Sequence, residues 1–120
     1  MTTAKYFKES EFRACSPACS LQDMRQSTMN RFDRARRIAG IPFVLNSAYR
    51  SPEWELAHGR SGSGAHTRGR AVDIRCRTNA TRMKVVVALL AAGFSRIGIA
   101  DTFIHADDDE TLTQDIIWLY

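Results

Sequence analysis

The sequence predicts an α+β fold, a single domain in which a mostly antiparallel sheet carries helices packed on one face. Three observations predict it. Apolar residues recur at three- and four-residue steps in two stretches, the helical signature. Short apolar runs bounded by turn-forming residues mark strands elsewhere. These segments follow one another as helix, strand, loop, strand, helix and three strands, which groups strands together and leaves the helices to cover one side.

Residues 1–20 form an N-terminal segment in which Tyr6, Phe7 and Phe12 supply the apolar side of one or two helical turns. Ser20 is placed to cap a helix over residues 21–39, where Leu21, Met24, Met29, Phe32, Ala35 and Ile38 keep helical spacing with a break near Ser27 and Thr28. Gly40 and Pro42 stop it. Its arginines (Arg25, Arg31, Arg34, Arg36 and Arg37) read as the solvated face. Residues 43–47 read as a short strand, and residues 50–69, rich in Gly, Ser and Arg without a sustained period, as a long loop. A loop of that length inside a compact domain is functional or disordered. Residues 71–75 read as a strand with Val72 and Ile74 on one side and Asp73 on the other. Asn79 or Thr81 caps a second helix over residues 82–92, ended by Gly93. Residues 94–99, 102–106 and 115–120 supply the remaining strands, with 107–110 as a charged turn.

The chain has 120 residues, 44% hydrophobic and 25% charged. That suits one domain over residues 1–120, with its core from about residue 21, and excludes collagen-like, disordered and disulfide-stapled classes. No apolar run reaches the roughly 18–20 residues that span a bilayer, so membrane insertion is not expected. Lys and Arg number 17 against 13 Asp and Glu, a formal charge of +4 that suits a polyanionic partner such as nucleic acid or a bacterial cell wall. No aromatic-and-basic stripe or nucleic-acid motif accompanies the charge, so nucleic acid is not an expected partner. Cys15, Cys19 and Cys76 form neither a disulfide framework nor a zinc ribbon and read as free thiols of a reducing compartment. The N-terminus lacks the order of a secretory signal, so synthesis in a cytosol is expected.

The histidines carry the chemistry. A catalytic zinc needs three protein ligands and an open position for water. His66, Asp73, seven residues on, and His105 supply such a set from one loop and two strands. Asp73 lies between Val72 and Ile74, where an unpaired buried carboxylate is costly and a metal or an arginine removes the cost. By spacing alone the same residues also fit a surface His–Asp pair.

Four stretches carry more than spacing: SAYRSPEW (47–54), SGAHTRGRAVDI (63–74), GFSRIGIA (93–100) and FIHAD (103–107). Together they resemble the family of zinc D-Ala-D-Ala carboxypeptidases and murein endopeptidases, most of all its small single-domain phage-type members. The resemblance runs from about Leu21 to the end of the chain. It implies a hedgehog/D-Ala-D-Ala-peptidase-like fold with Zn2+ held by His66, Asp73 and His105. It also implies that Arg50 stabilises the oxyanion and anchors substrate. The family's serine two residues before the first ligand is Gly64 here, and the acid that many members carry three residues before the last His is Thr102. Asp107, in the family's H-x-D pattern, and Asp101 are left as candidate general bases, and Asp107 also suits orienting His105.

The implied activity is hydrolysis of bacterial peptidoglycan stem peptides or cross-links, as a carboxypeptidase or endopeptidase. The implied setting is a phage-encoded monomer made in the host cytoplasm without a signal peptide, acting on the cell wall at lysis or from the virion. The alternative is a non-catalytic cell-wall-binding module that keeps zinc without turnover, which the missing acid at Thr102 favours. Among the remaining residues, His58 reads as solvent-facing and Trp118 as core.

Overall fold

The computed structural model describes residues Met1–Tyr120. The chain enters as a strap over the long helix: the Thr2 and Thr3 amides donate to the Gln22 and Gln26 side chains at 2.8 Å. Helix α1 (Glu9–Arg13) follows and buries Phe12 completely.

The helix expected over residues 21–39 is divided. Ser20 caps as anticipated, its hydroxyl accepting from the Gln22 amide, but it caps a single 3-10 turn, Leu21–Asp23. Met24 is extended, and α2 runs Gln26–Ala39. The reason lies in where the backbone groups go. The Met24 carbonyl accepts the Thr2 hydroxyl at 2.7 Å and the Arg25 amide donates to the Gly69 carbonyl at 3.0 Å, so neither joins a helical ladder. Gly40, at φ +68°, closes α2 in the left-handed conformation that glycine takes without penalty. The arginine face is only partly solvated, because Arg31 pairs with Asp108 and Arg36 with Glu11.

Strand β1 (Leu45–Ser47) is shorter than expected. Inside the expected loop stands α3 (Pro52–Ala57). Its signals are local: the Ser51 hydroxyl accepts the Trp54 amide at 3.0 Å, and Pro52 takes the first helical position, where no amide is required. A second 3-10 turn, Ala65–Arg68, leads into β2 (Ala71–Arg75). Helix α4 (Asn79–Ala91) is capped by Thr78, one residue before the expected Asn79, through its hydroxyl and the Thr81 amide. Strands β3 (Arg96–Ile99), β4 (Phe103–Asp107) and β5 (Ile116–Leu119) complete the chain.

The strands form one sheet in the order β1-β2-β4-β3-β5, antiparallel throughout except for the parallel pair β3 and β5. Leu45, Val72, Ile74, Ile97, Ile104 and Ala106 meet Met29, Phe32 and Ala35 of α2 and Val85 and Leu89 of α4 in one core. Each large side chain buried there contributes about 1.5–3 kcal/mol. Side chains alternate along a strand, so the residues between these point to the opposite face. A register shift between Leu45 and Ser47 turns Ser47 to that face as well, and the ladders line up Ser47, Asp73, His105, Gly98 and Trp118 in one row.

Candidate metal centre

Asp73 and His105 are directly opposed in the β2–β4 ladder, and His66 joins them from the 3-10 turn before β2. All three are buried. One nitrogen of each ring and one carboxylate oxygen lie within 4.8 Å of one another. His105 Nδ1 is 3.0 Å and His66 Nε2 3.4 Å from the same atom, Asp73 Oδ1.

The outer nitrogen of each ring is fixed. His66 Nδ1 lies 2.6 Å from the Ala48 carbonyl, and His105 Nε2 lies 2.6 Å from Asp107 Oδ2. A carbonyl only accepts, so His66 carries a proton on Nδ1 and presents Nε2 to Asp73. An imidazole nitrogen this close to a carboxylate oxygen is bridged by a proton or by a metal ion. Asp107 takes the Nε2 proton of His105 in the same way and leaves Nδ1 as the inward nitrogen. Two imidazole nitrogens and a carboxylate oxygen, each oriented from behind, fit the donor set of a three-ligand zinc site.

Charge follows the geometry. Burial alone would raise the Asp73 carboxyl, but hydrogen bonds and charge from His105 and His66 outweigh it and hold it well below the usual carboxylate range. Burial would lower His105, but hydrogen bonds to Asp107 and Asp73 raise it. Burial opposes ionisation of Asp107 as well, and the His105 bond overcomes that to lower it.

Arg50 is brought to the site. Its Nη2 donates to Asp73 Oδ2 at 3.1 Å, its Nε to the Ser47 hydroxyl at 2.9 Å and its Nη1 to Glu55 Oε2 at 3.3 Å. The guanidinium also lies 5.6 Å from the Trp54 ring centre. Ser47 and Glu55 escaped the sequence reading. The signal for Glu55 was available in the Ser51–Pro52 cap, which sets a short helix and its inward face. Glu55 is 4% exposed, and only its Oε2 is bonded, to Arg50 and, at 3.8 Å, to Arg60.

Asp107 stands behind His105, 1% exposed, with Oδ1 accepting from Arg96 Nε at 2.8 Å and from the Asp109 amide at 3.1 Å. Asp101 is not brought to the group. It is exposed in the turn between β3 and β4, and the ladder there runs without a bulge from Arg96–Asp107 to Ile99–Ile104. The charged turn expected at residues 107–110 is mostly a buried network instead. Asp108 binds Thr28 at 2.6 Å and pairs with Arg31 and Arg70, while Asp109 binds Arg68 at 2.6 Å. The arginines explain the burial, since each buried carboxylate has a cation.

Trp118 is half-buried on the outer face rather than in the core. Its ring lies 5.4 Å from His105 and 5.1 Å from the Arg96 guanidinium. Gly98 makes room for it: a Cβ there would fall 2.6 Å from Trp118 Cε2. His58 is exposed as expected and stacks on Trp54 at 3.8 Å.

An α+β sheet with a His–Asp–His donor set on the face opposite its core defines a candidate metalloenzyme of the three-ligand kind. The family described as Peptidase M15 matches residues 5–107, and the chain belongs to that family, one of zinc-dependent peptidases. No curated protein and no solved structure matches the chain. No helix is long and apolar enough to cross a membrane.

Proposed function

We propose that the protein is a zinc-dependent peptidase acting on peptidoglycan stem peptides or their cross-links, phage-encoded and reaching the cell wall at lysis or from the virion. The observation that carries the reading is the convergence of His66 Nε2, Asp73 Oδ1 and His105 Nδ1, each ring held from behind by an acceptor. A zinc ion held by these three residues would supply Lewis acidity toward a carbonyl and a bound water.

The chain's own groups do the rest. Arg50, pinned through Nε on Ser47, presents its fork beside Asp73, where a substrate carboxylate or the developing oxyanion exchanges for existing partners. Both Asp107 oxygens are engaged, which supports an orienting role for it. The proton acceptor then passes from the sequence candidates to Glu55. It lies across the Arg50 guanidinium from Asp73, and its Oε1 accepts no hydrogen bond. Glu55→Gln keeps an acceptor for Arg50, and we expect it to lose about 10²-fold in rate with zinc retained; full activity would remove Glu55 from the role.

The deciding experiment is zymography on purified cell walls with and without a zinc chelator. Clearing that the chelator abolishes supports the peptidase. Binding to the walls without clearing supports the wall-binding module.

A further inference from the structure

Cys15 and Cys19 take no part in the metal centre, yet the chain folds them onto each other. Both amide nitrogens donate to one atom, the Phe12 carbonyl, each at 3.1 Å, so they are at most twice that distance apart. The Cys19 thiol points at the same carbonyl at 3.7 Å. The Cys15 thiol lies 3.4 Å from the Glu11 carbonyl and 3.9 Å from that of Leu45. Both are free, Cys15 buried and Cys19 half-exposed. A shared anchor holds the two backbones close to one another, the first thing a disulfide needs.

We propose that Cys15 and Cys19 form a thiol–disulfide exchange site, closing to a reversible intramolecular disulfide with a low-molecular-weight disulfide as oxidant. The accessible Cys19 attacks as thiolate: its sulfur bonds to one sulfur of the oxidant, the oxidant's S–S bond breaks, and one thiolate leaves and is protonated. Cys15 then gives up its proton and attacks Cys19 Sγ, expelling the second thiolate, which takes that proton. Two protein thiols and one disulfide become one protein disulfide and two small thiols. The neighbouring thiol divides the work, pushing the Cys15 thiol up and drawing Cys19 down, so the more accessible sulfur is the readier nucleophile.

The site also has a neighbour in the metal centre. The Ser16 amide donates to the Asn46 carbonyl at 2.9 Å. That contact falls on the segment that supplies Ser47, Ala48 and Arg50 to the site.

The test uses the full-length protein with saturating zinc, incubated folded with oxidised glutathione, then denatured and alkylated. Trypsin releases residues 14–25 as one peptide holding both cysteines. The expected result is one alkylated thiol per chain in place of three, with the 14–25 peptide internally bridged and Cys76 still alkylated. Cys15→Ser should trap Cys19 as a stable mixed disulfide with glutathione, whereas Cys19→Ser should leave the buried Cys15 unmodified. The proposal is overturned if glutathione stays on Cys19 in the wild-type protein, if the bridge forms only in denaturant, or if zinc protects both thiols.

Discussion

Replacing Asp107 by Asn separates an orienting role from a proton-accepting one. Asp107 Oδ1 faces two donors, Arg96 Nε at 2.8 Å and the Asp109 amide at 3.1 Å. An asparagine must therefore put its carbonyl oxygen there and turn its NH2 toward His105 Nε2, which now sits 2.6 Å from Asp107 Oδ2. Donor would meet donor unless His105 moves its proton to Nδ1, the nitrogen the metal needs. Zinc must then reverse a tautomer or rotate a buried amide away from its partners. Lost outer partners of this kind weaken metal affinity by about 10–100-fold, or ~1.4–2.7 kcal/mol. The assay is a competitive zinc titration against a chromophoric chelator, paired with activity as a function of free zinc. We expect weaker zinc binding and a rate at saturating zinc within a few-fold of the parent. Unchanged zinc affinity refutes the tautomer argument. If the saturated rate also falls by about 10²-fold or more, Asp107 is the base after all.

Asp73→Ala should strip the metal, since two imidazoles alone make a weak site; elemental analysis checks it, and full zinc occupancy rules the ligand set out. Arg50→Lys keeps the charge but loses the fork that spans Ser47, Glu55 and Asp73, so activity should fall by on the order of 10²-fold with zinc retained. Gly98→Ala sets a Cβ 2.6 Å from Trp118 Cε2 and should destabilise by about 1–3 kcal/mol in chemical denaturation, as overpacking does. The metal-free protein should be most stable in mildly acidic solution. The lowered Asp73 contributes above its unfolded value of about 3.9 and is lost as pH falls through its folded value, while the raised His105 contributes below about 6.5 and is lost as pH rises through its own. Zinc competes for the His105 Nδ1 proton, so its affinity should rise with pH over that second range; a pH series of denaturation midpoints with and without zinc measures both.

The candidate ligand set and Arg50, which the fold brings together, were legible because each lies in a dense local motif, and the two strands that carry Asp73 and His105 are short runs. What the sequence hid were partnerships across distance. Asp107, Asp108 and Asp109 look like a solvated turn until Arg96, Arg31, Arg70 and Arg68 arrive from other elements to neutralise them. Trp118 looks like core because its strand is apolar, and only the parallel pairing of β5 with β3 puts it over Gly98 beside His105. The division of the first long helix was hidden for the same reason: the Met24 carbonyl and the Arg25 amide are claimed by Thr2 and Gly69, remote in sequence. Helix α3 is the exception, a local signal read too coarsely.

Along β4, Ile104 and Ala106 belong to the core, while the intervening His105 and Asp107 belong to the candidate metal centre and its support. A one-residue slip against β2 would exchange the two sets, forcing an imidazole and a carboxylate under the helices and turning the isoleucine outward. The hydrophobic energy that selects the pairing therefore proofreads the ligand geometry. A chain with β4 misaligned has neither a sound interior nor a place for zinc, so metal uptake during refolding would report strand alignment directly.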